Sequence, residues 1–390
     1  MQAVKFNTAT TRRLRVLFLM TRDAQDPRTT GGDIGMWERA LYLAEQGHSV
    51  SALVSSYPGA SKEDTIDGVR VVRLGGVLTL WLTTFLYYER HCRGRYDVVV
   101  TEGFGGSRIP RLAPLYVREP IITEWHQIHA DLFAAQYPKV FLPALNAFER
   151  VVAYVHRNTT LMARTPEWKE AFPKLGFRPD KIFVVPACIS KEWFEQALPG
   201  QVSEPTIVWL GKFRRYKCPD HAILAMKEVI RQVPDAKLIL AGRHDDLKYE
   251  ARLQQLIEQL GLADNIEFRF NLTEGEKRQL LTQARALVLP SSVEGFGIVV
   301  LEANAVGTPV LASDGVPESV VGNEANGLRY HFGNIRELGR AMTRVLVDHV
   351  LYLRLSADSI RFAERFEWRE VCTQYERVIE LAATRAAFVV

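Results

Sequence analysis

The 390-residue chain is poor in cysteine: Cys92, Cys188, Cys218 and Cys372 stand far apart. They form neither a CxxC pair nor a Cys/His group at zinc-ligand spacing, which excludes a disulfide scaffold and a structural zinc site as organising devices. Buried thiols in a reducing compartment are the expectation. Long apolar runs are scarce as well. The first, inside "RRLRVLFLM", is about six residues long, too short for a signal-peptide core. "VLTLWLTTFLYYE", from Val77 to Glu89, falls short of the roughly 20 residues that cross a bilayer. No segment is low-complexity and no repeat is visible, so disorder and solenoid architectures are excluded. Charge of one sign is also limited. The net charge is +4, and the basic surplus lies in residues 1–200, enough to favour anionic lipid or a phosphorylated acceptor but far below a dedicated nucleic-acid binder. These absences predict a cytoplasmic protein, at most peripheral at the inner face of a membrane, with no nucleic-acid partner.

What is present is an ordinary globular composition, 47% hydrophobic and 24% charged. The length exceeds the roughly 250–300 residues at which a single core stops growing, so two domains are expected. Short β-branched runs alternate with helical patterns, which marks parallel sheets covered on both faces. In the first half "RVLFLM", "HSVSALVSS", "VRVVRL", "YDVVVTE", "PIITEWH", "TTLMA" and "KIFVVPA" read as strands. The pattern restarts with "TIVWLGKF", "AKLILAG", "NIEFRF", "ALVLPSS", "TPVLASD" and "GLRY". Periodicity lapses over Ile189–Pro205, which places the linker there. The fold class is therefore α/β, two doubly wound Rossmann-like domains facing across a cleft. The domains are drawn at 1–195 and 196–365, with a last helix, about 366–390, returning to the first. In such sheets ligands bind beyond the carboxyl ends of the strands.

One strand end carries the strongest chemical pattern. "ALVLPSS" reads as a strand and "GIVVLEANAVG" as a helix closed by Gly307, so "VEGFG" is the turn between them. A helix N-terminus offers unpaired N–H groups and roughly half a positive charge, an anion site. Gly295 and Gly297 let the backbone approach a phosphate without a Cβ in the way. Glu302, inside the helix, sits where a carboxylate accepts two hydrogen bonds from vicinal hydroxyls such as a ribose, while Glu294 is expected at the mouth. The pair fits an elongated ligand with hydroxyls at both ends and a diphosphate between, a nucleotide sugar. After the second domain's first strand, "LGKFRRYKCPD" places Gly211 at a sharp exit and sets Lys212 and Lys217 to converge on that diphosphate. "HDD" at His244–Asp246 reads as a helix-starting polar loop, and no metal is expected, because the lysines and the helix dipole already neutralise a diphosphate.

Gly211, Lys212 and Lys217, followed by "EGFGIVVLEANAVGTPVLASD" with its Glu-x7-Glu pair, resemble the retaining glycosyltransferase family 4, of the GT-B fold. The likeness runs along nearly the whole chain, through "GGDIGMWERALYLAEQGHSV", "VREPIITEWHQIHADLF" and "FEWREVCTQYERVIE". The resemblance implies that Glu302 holds the donor ribose and Glu294 contacts the donor sugar. It gives Gly295, Phe296, Gly297 and Ile298 backbone roles near the phosphates and makes Lys217 the diphosphate lysine. Lys212 takes a place usually held by arginine, keeping the charge without the planar fork. Cys218 replaces a usual glycine, and Phe270 stands where a glycine often marks the base pocket. Gly31 and Gly32 resemble the loop that approaches donor and acceptor. His126 resembles the histidine beside the transferred sugar, and His129, weaker, is as readily read as facing its own helix.

The expected activity is transfer of a hexose from a UDP- or GDP-sugar to a hydroxyl acceptor, lipid-linked or glycan, with retention and without cofactor. The catalytic assignments are His126, Lys217 and Glu294. "FLYYERHCRGRY" and "YPKVFLPALNAFERVVAYVHR" are read either as membrane-resting segments or as solvated helix faces. The rival readings are a sugar-nucleotide epimerase, a phosphorylase, or a non-catalytic nucleotide-sugar binder. The two enzymes lack their signatures here: acid–base residues for elimination in the first, a cofactor lysine in the second.

Overall fold

A computed structural model of the chain describes residues 12–29, 31–104, 111–197, 200, 202 and 204–386, without the side chains of 196, 385 and 386. The first domain is built on β1 (Arg15–Leu19), β2 (Ser49–Val54), β3 (Glu63–Ile66), β4 (Val69–Arg73), β5 (Val98–Glu102), β6 (Ile121–Glu124), β7 (Thr160–Ala163) and β8 (Ile182–Val184). These form one sheet in the order β3-β4-β2-β1-β5-β6-β7-β8, parallel except for the β3–β4 pair. The second domain carries β9 (Thr206–Lys212), β10 (Lys237–Arg243), β11 (Ile266–Phe270), β12 (Ala286–Leu289), β13 (Val310–Ser313) and β14 (Gly327–Tyr330). Its all-parallel sheet runs β11-β10-β9-β12-β13-β14. Strand order reverses between β1 and β5 in one sheet and between β9 and β12 in the other, and such switch points open crevices at the strands' carboxyl ends.

Both faces of each sheet are covered, as the continuous apolar strands require. Along β1 the side chains alternate: Val16 and Phe18 join the core beneath the helix Gly31–Glu45, whereas Leu17 and Leu19 join the opposite one with Tyr88 and Val99. Burying each such side chain stabilises the fold by roughly 1.5–3 kcal/mol. The C-terminal helix Trp368–Ala386 completes the first of these cores through Val371, Tyr375 and Ile379. It is fastened by a buried contact between His48 Nε2 and Glu376 Oε1, 2.9 Å. Its entry is fixed by Ile189 N donating to Phe366 O at 2.9 Å and Trp368 N donating to Ile189 O at 3.0 Å. The linker is not wholly irregular, since Lys191–Gln196 forms a 3-10 turn.

Every strand expected from the sequence is present, and β3 is the addition. It pairs with β4 as a hairpin across Asp67 and Gly68, whose φ values of 48° and 85° are left-handed. An Asp-Gly pair suits such a two-residue turn, so the signal was legible, but the charged "EDTI" lacks the apolar character used to find strands. Among the described residues no helix is long and apolar enough to cross a membrane.

Candidate active site

The two strands flanking the second domain's switch point end in the two motifs singled out above. Gly211 lies within β9, in register with Gly242 of β10, rather than at a sharp exit as expected. A Cβ on Gly242 would collide with the Gly211 carbonyl, so it is the close approach of the strands that requires glycine. The reversal comes later, at Cys218, whose φ of 47° and ψ of 47° are left-handed. The related pattern places glycine there, and a side chain in that conformation costs about 1–2 kcal/mol. Between these points the 3-10 turn Arg215–Lys217 aims Lys217 back across the strand ends.

Lys217 Nζ donates to Glu294 Oε1 at 2.5 Å, and Ser291 Oγ donates to the same oxygen at 2.6 Å. Burial presses the lysine's pKa down, but the Glu294 carboxylate more than offsets it and the net shift is upward. Glu294 was expected at the mouth of the site; it is instead only 6% exposed. The reason is that the two domains meet over it: Trp168 Nε1 of the first domain donates to the Glu294 carbonyl at 3.2 Å. Beside it, Ser319 N and Oγ both donate to the Glu167 carboxylate at 2.8 Å.

Gly297, with φ 89° and ψ 69°, is the N-cap of the helix Ile298–Ala305 and supplies no side-chain cap to its first N–H groups. Gly295 abuts the other domain, for a Cβ there would lie 3.0 Å from both His126 O and Gln127 Oε1. Phe296 is buried with its ring edge-on to Phe366, centroids 5.8 Å apart, anchoring the turn. Ile298 Cδ1 lies 3.4 Å from where a Gly31 Cβ would be. Deeper along the helix, Glu302 Oε1 accepts from Lys277 Nζ at 2.8 Å, while Oε2 is buried without a partner among the described residues. Burial raises the Glu302 pKa against the opposing effect of Lys277. Lys277, which the sequence reading missed, is held between Glu274, 2.9 Å away, and Glu302, with its ammonium 5.2 Å from the Trp193 ring centroid.

From the first domain, Gly31 and Gly32 open the helix Gly31–Glu45, and a Cβ on Gly32 would sit 3.5 Å from His126 Nε2. His126, just past β6, is oriented by a buried charge chain that no local pattern announces. Arg164 Nε donates to His126 Nδ1 at 3.1 Å, and Arg164 Nη2 and Arg39 Nη1 each donate to Glu124 Oε2 at 2.7 Å. A guanidinium cannot accept, so Nδ1 is unprotonated and the neutral ring carries its proton on Nε2, facing Gly32. Burial lowers the His126 pKa, with Glu124 acting in opposition, which favours that neutral form.

Several residues lie otherwise than expected, or beside the site. Lys212 ends β9 next to Arg243 of β10, and its ammonium has no hydrogen-bond partner among the described residues. Burial and the nearby Arg214 lower its pKa against the opposing effect of Asp245, which is itself held by Arg214. Arg243, also missed, reaches across to donate to Thr29 O at 3.3 Å. His129 does not face its own helix; its N and Nδ1 both engage Glu149 of the helix Leu142–His156, at 2.9 and 2.7 Å. Asp246 caps the helix Leu247–Leu260 and Asp245 pairs with Arg214, as befits a helix-starting loop. His244 stacks on Phe270 with centroids 4.0 Å apart, filling the space a glycine would leave.

Lys212, Lys217 and a helix N-terminus lie at the switch point of one Rossmann-like domain and face glycine backbone and a neutral histidine from the other, the two-domain arrangement of the GT-B fold. Comparison with known proteins agrees. Residues 30–188 match the family model described as glycosyl transferase 4-like domain, and residues 191–362 match glycosyl transferases group 1. The chain belongs to the family 4 type of GT-B glycosyltransferases. It is 27% identical over 338 residues to a D-inositol 3-phosphate glycosyltransferase of Streptomyces bingchenggensis, covering 80% of this chain and 70% of that one. Its fold is similar to sucrose-phosphate synthase from Thermosynechococcus elongatus, with TM-score 0.78, 19% identity and coverage of 95% and 99%. The Anabaena protein HepE in complex with UDP-glucose is likewise similar, with TM-score 0.73, 18% identity and coverage of 95% and 100%.

Proposed function

We propose that the protein transfers a hexose from a UDP- or GDP-sugar to a hydroxyl of a glycan or glycolipid acceptor, with retention at the anomeric carbon. The observation that carries this reading is the seam itself, where Lys217, Glu294, the Gly297-capped helix and His126 are gathered from two domains. Lys217, Lys212 and the N–H groups beyond Gly297 receive the leaving diphosphate. Electrostatics fixed in advance around developing charge are usually the largest catalytic contribution, and here they require no metal. Glu302, with an unpaired oxygen and Lys277 steadying the other, accepts the ribose hydroxyls. Glu294 bonds the hexose and gives up part of its hold on Lys217 to the diphosphate. His126 Nε2–H points at the sugar beside Gly32. The acceptor attacks from the face the diphosphate leaves, and a phosphate oxygen takes its proton.

The test is acceptor-free hydrolysis of UDP- and GDP-hexoses, with the anomer of the released or transferred sugar read by NMR. Retained configuration and slow donor turnover are expected. Binding of a donor without any turnover would leave a sensor instead, and an inverted product would end the same-face mechanism.

A further inference from the structure

Three elements of the first domain turn apolar side chains outward on one side of the molecule. On the helix Leu80–Tyr87, Leu80 and Thr84 are buried while Trp81, Leu82 and Leu86 are exposed, as opposite faces of one 3.6-residue period. The helix Leu142–His156 buries Glu149, Val152, Ala153 and His156, yet its outer face also carries apolar side chains, Phe148, Val151 and Tyr154, the last two 61% and 60% exposed. Between these helices lies the turn Ala113–Leu115, with Leu115 67% exposed. The three are joined: Arg111 Nη1 donates to Thr84 Oγ1 at 3.3 Å, and His156 Nε2 meets Arg111 O at 2.6 Å. The Tyr116 ring packs edge-on to Phe85, with centroids 5.2 Å apart. They therefore form one face, and it holds seven of the eighteen exposed large apolar side chains of the described chain. Soluble monomers rarely leave so large an apolar patch without a use for it.

The rim of this face is positive. Arg90, Arg118, Lys139 and Arg150 are exposed around it, with Arg157 at its end. The acids on the same segments are already engaged: Glu89 with Arg93, Glu119 with Tyr88 and the Gly94 N–H, and Glu149 with His129. Asp131, on the preceding helix, is exposed. A second copy of the chain would set the same basic rim against itself. An apolar centre with a basic border is instead complementary to an anionic bilayer, where rings enter the headgroup boundary and cations meet lipid phosphates.

We propose that this face docks the protein on anionic membranes, with Trp81, Phe148, Val151 and Tyr154 inserted at the interface. The helix Ala130–Gln136 lies between it and the cleft and touches the turn Arg215–Lys217. Docking thus sets the mouth of the proposed transfer site beside the lipid surface, and a lipid-linked acceptor, which rests on the transferase reading above, enters from that side.

The full chain is tested by flotation with phosphatidylcholine vesicles, with and without phosphatidylglycerol, beside the variant Trp81→Ser/Val151→Ser/Tyr154→Ser, all at exposed positions. The native chain is expected to float with the anionic vesicles and the variant to be recovered there at about a tenth of that level or less. Thermal stabilisation by UDP or GDP is read in parallel and should be the same in both proteins. Native protein left at the bottom of the gradient, or equal flotation of the variant, overturns the docking face while leaving the donor site untouched. Equal flotation on neutral vesicles overturns the anionic assignment. A dimer in light scattering that the variant abolishes overturns the bilayer in favour of a second copy. Flotation without any nucleotide response overturns the transferase reading alone.

Discussion

Replacing Lys217 by methionine would leave the Glu294 carboxylate at the seam without its cation. The two side chains are 17% and 7% exposed and 2.5 Å apart. Removing one partner of a buried pair costs roughly 3–5 kcal/mol, chiefly through the stranded charge. Ser291 still donates to Glu294 at 2.6 Å, which places the expected loss near the lower bound, about 3 kcal/mol. For a domain of this size each kcal/mol moves the melting temperature by roughly 2–4 °C, so a fall of about 6–12 °C is predicted. Because the penalty belongs to the stranded carboxylate, Lys217→Met/Glu294→Gln should regain much of it. The coupling expected between the two sites is about 1–2 kcal/mol. Differential scanning calorimetry of the four proteins measures this directly. Additive losses, or a Lys217→Met melt within about 2 °C of the native chain, would refute the reasoning, because the pair would then not be held out of water. The double variant should regain stability without regaining donor turnover, which separates the lysine's structural contribution from its contact with diphosphate.

Glu302→Gln keeps the size of the side chain and leaves Lys277 its Glu274 partner; calorimetric titration should show nucleotide affinity falling by about tenfold to a hundredfold with little change in melting temperature. Gly295→Ala would press a methyl to 3.0 Å from the His126 carbonyl, so turnover should drop by about tenfold or more, with donor affinity nearly unchanged, as the seam is held ajar. Chelation by EDTA should leave turnover intact, and recovery only on adding a divalent ion would show that the lysines and helix end do not suffice. His156 is wholly buried between Thr123 and the Arg111 carbonyl, and burial lowers its pKa to about 4. The unfolded chain, titrating near 6.5, binds the proton first, so stability is complete above that pH and lost as it falls toward 4, by about 3 kcal/mol. Glu102, raised to about 7 by burial and the nearby Asp33, acts in the opposite sense as pH rises from its unfolded value. The measurable quantity is therefore the difference between His156→Gln and the native chain in urea melts, which should shrink as pH falls from 6.5 to 4.

The alternation of strands and helices was legible because both faces of each sheet are covered, so nearly every strand is an apolar run bounded by turn residues. Only β3, an edge strand with charged side chains, escaped that filter. Lys217, Glu294, Gly295, Gly297 and Glu302 were legible because two short loops at adjacent strand ends carry them. The partners of those residues were not. Lys277 approaches Glu302 from a separate helix, Trp168 reaches Glu294 from the other domain, and the chain Arg39–Glu124–Arg164–His126 joins three segments. Such pairings depend on register and domain closure, which leave no periodic trace. The same closure explains why Glu294 is buried rather than at the mouth. Cys218 shows the converse: a backbone requirement at φ 47° persists although the residue usually found there has changed.

The central claim is that the second domain grips a nucleoside diphosphate between β9 and β12, and a crystal structure with UDP or GDP tests it most directly. The diphosphate is expected between Lys212, Lys217 and the N-terminus of Ile298–Ala305, with the ribose on Glu302 Oε2. A nucleotide bound elsewhere, or crystals in which neither compound binds at saturating concentration, would contradict it.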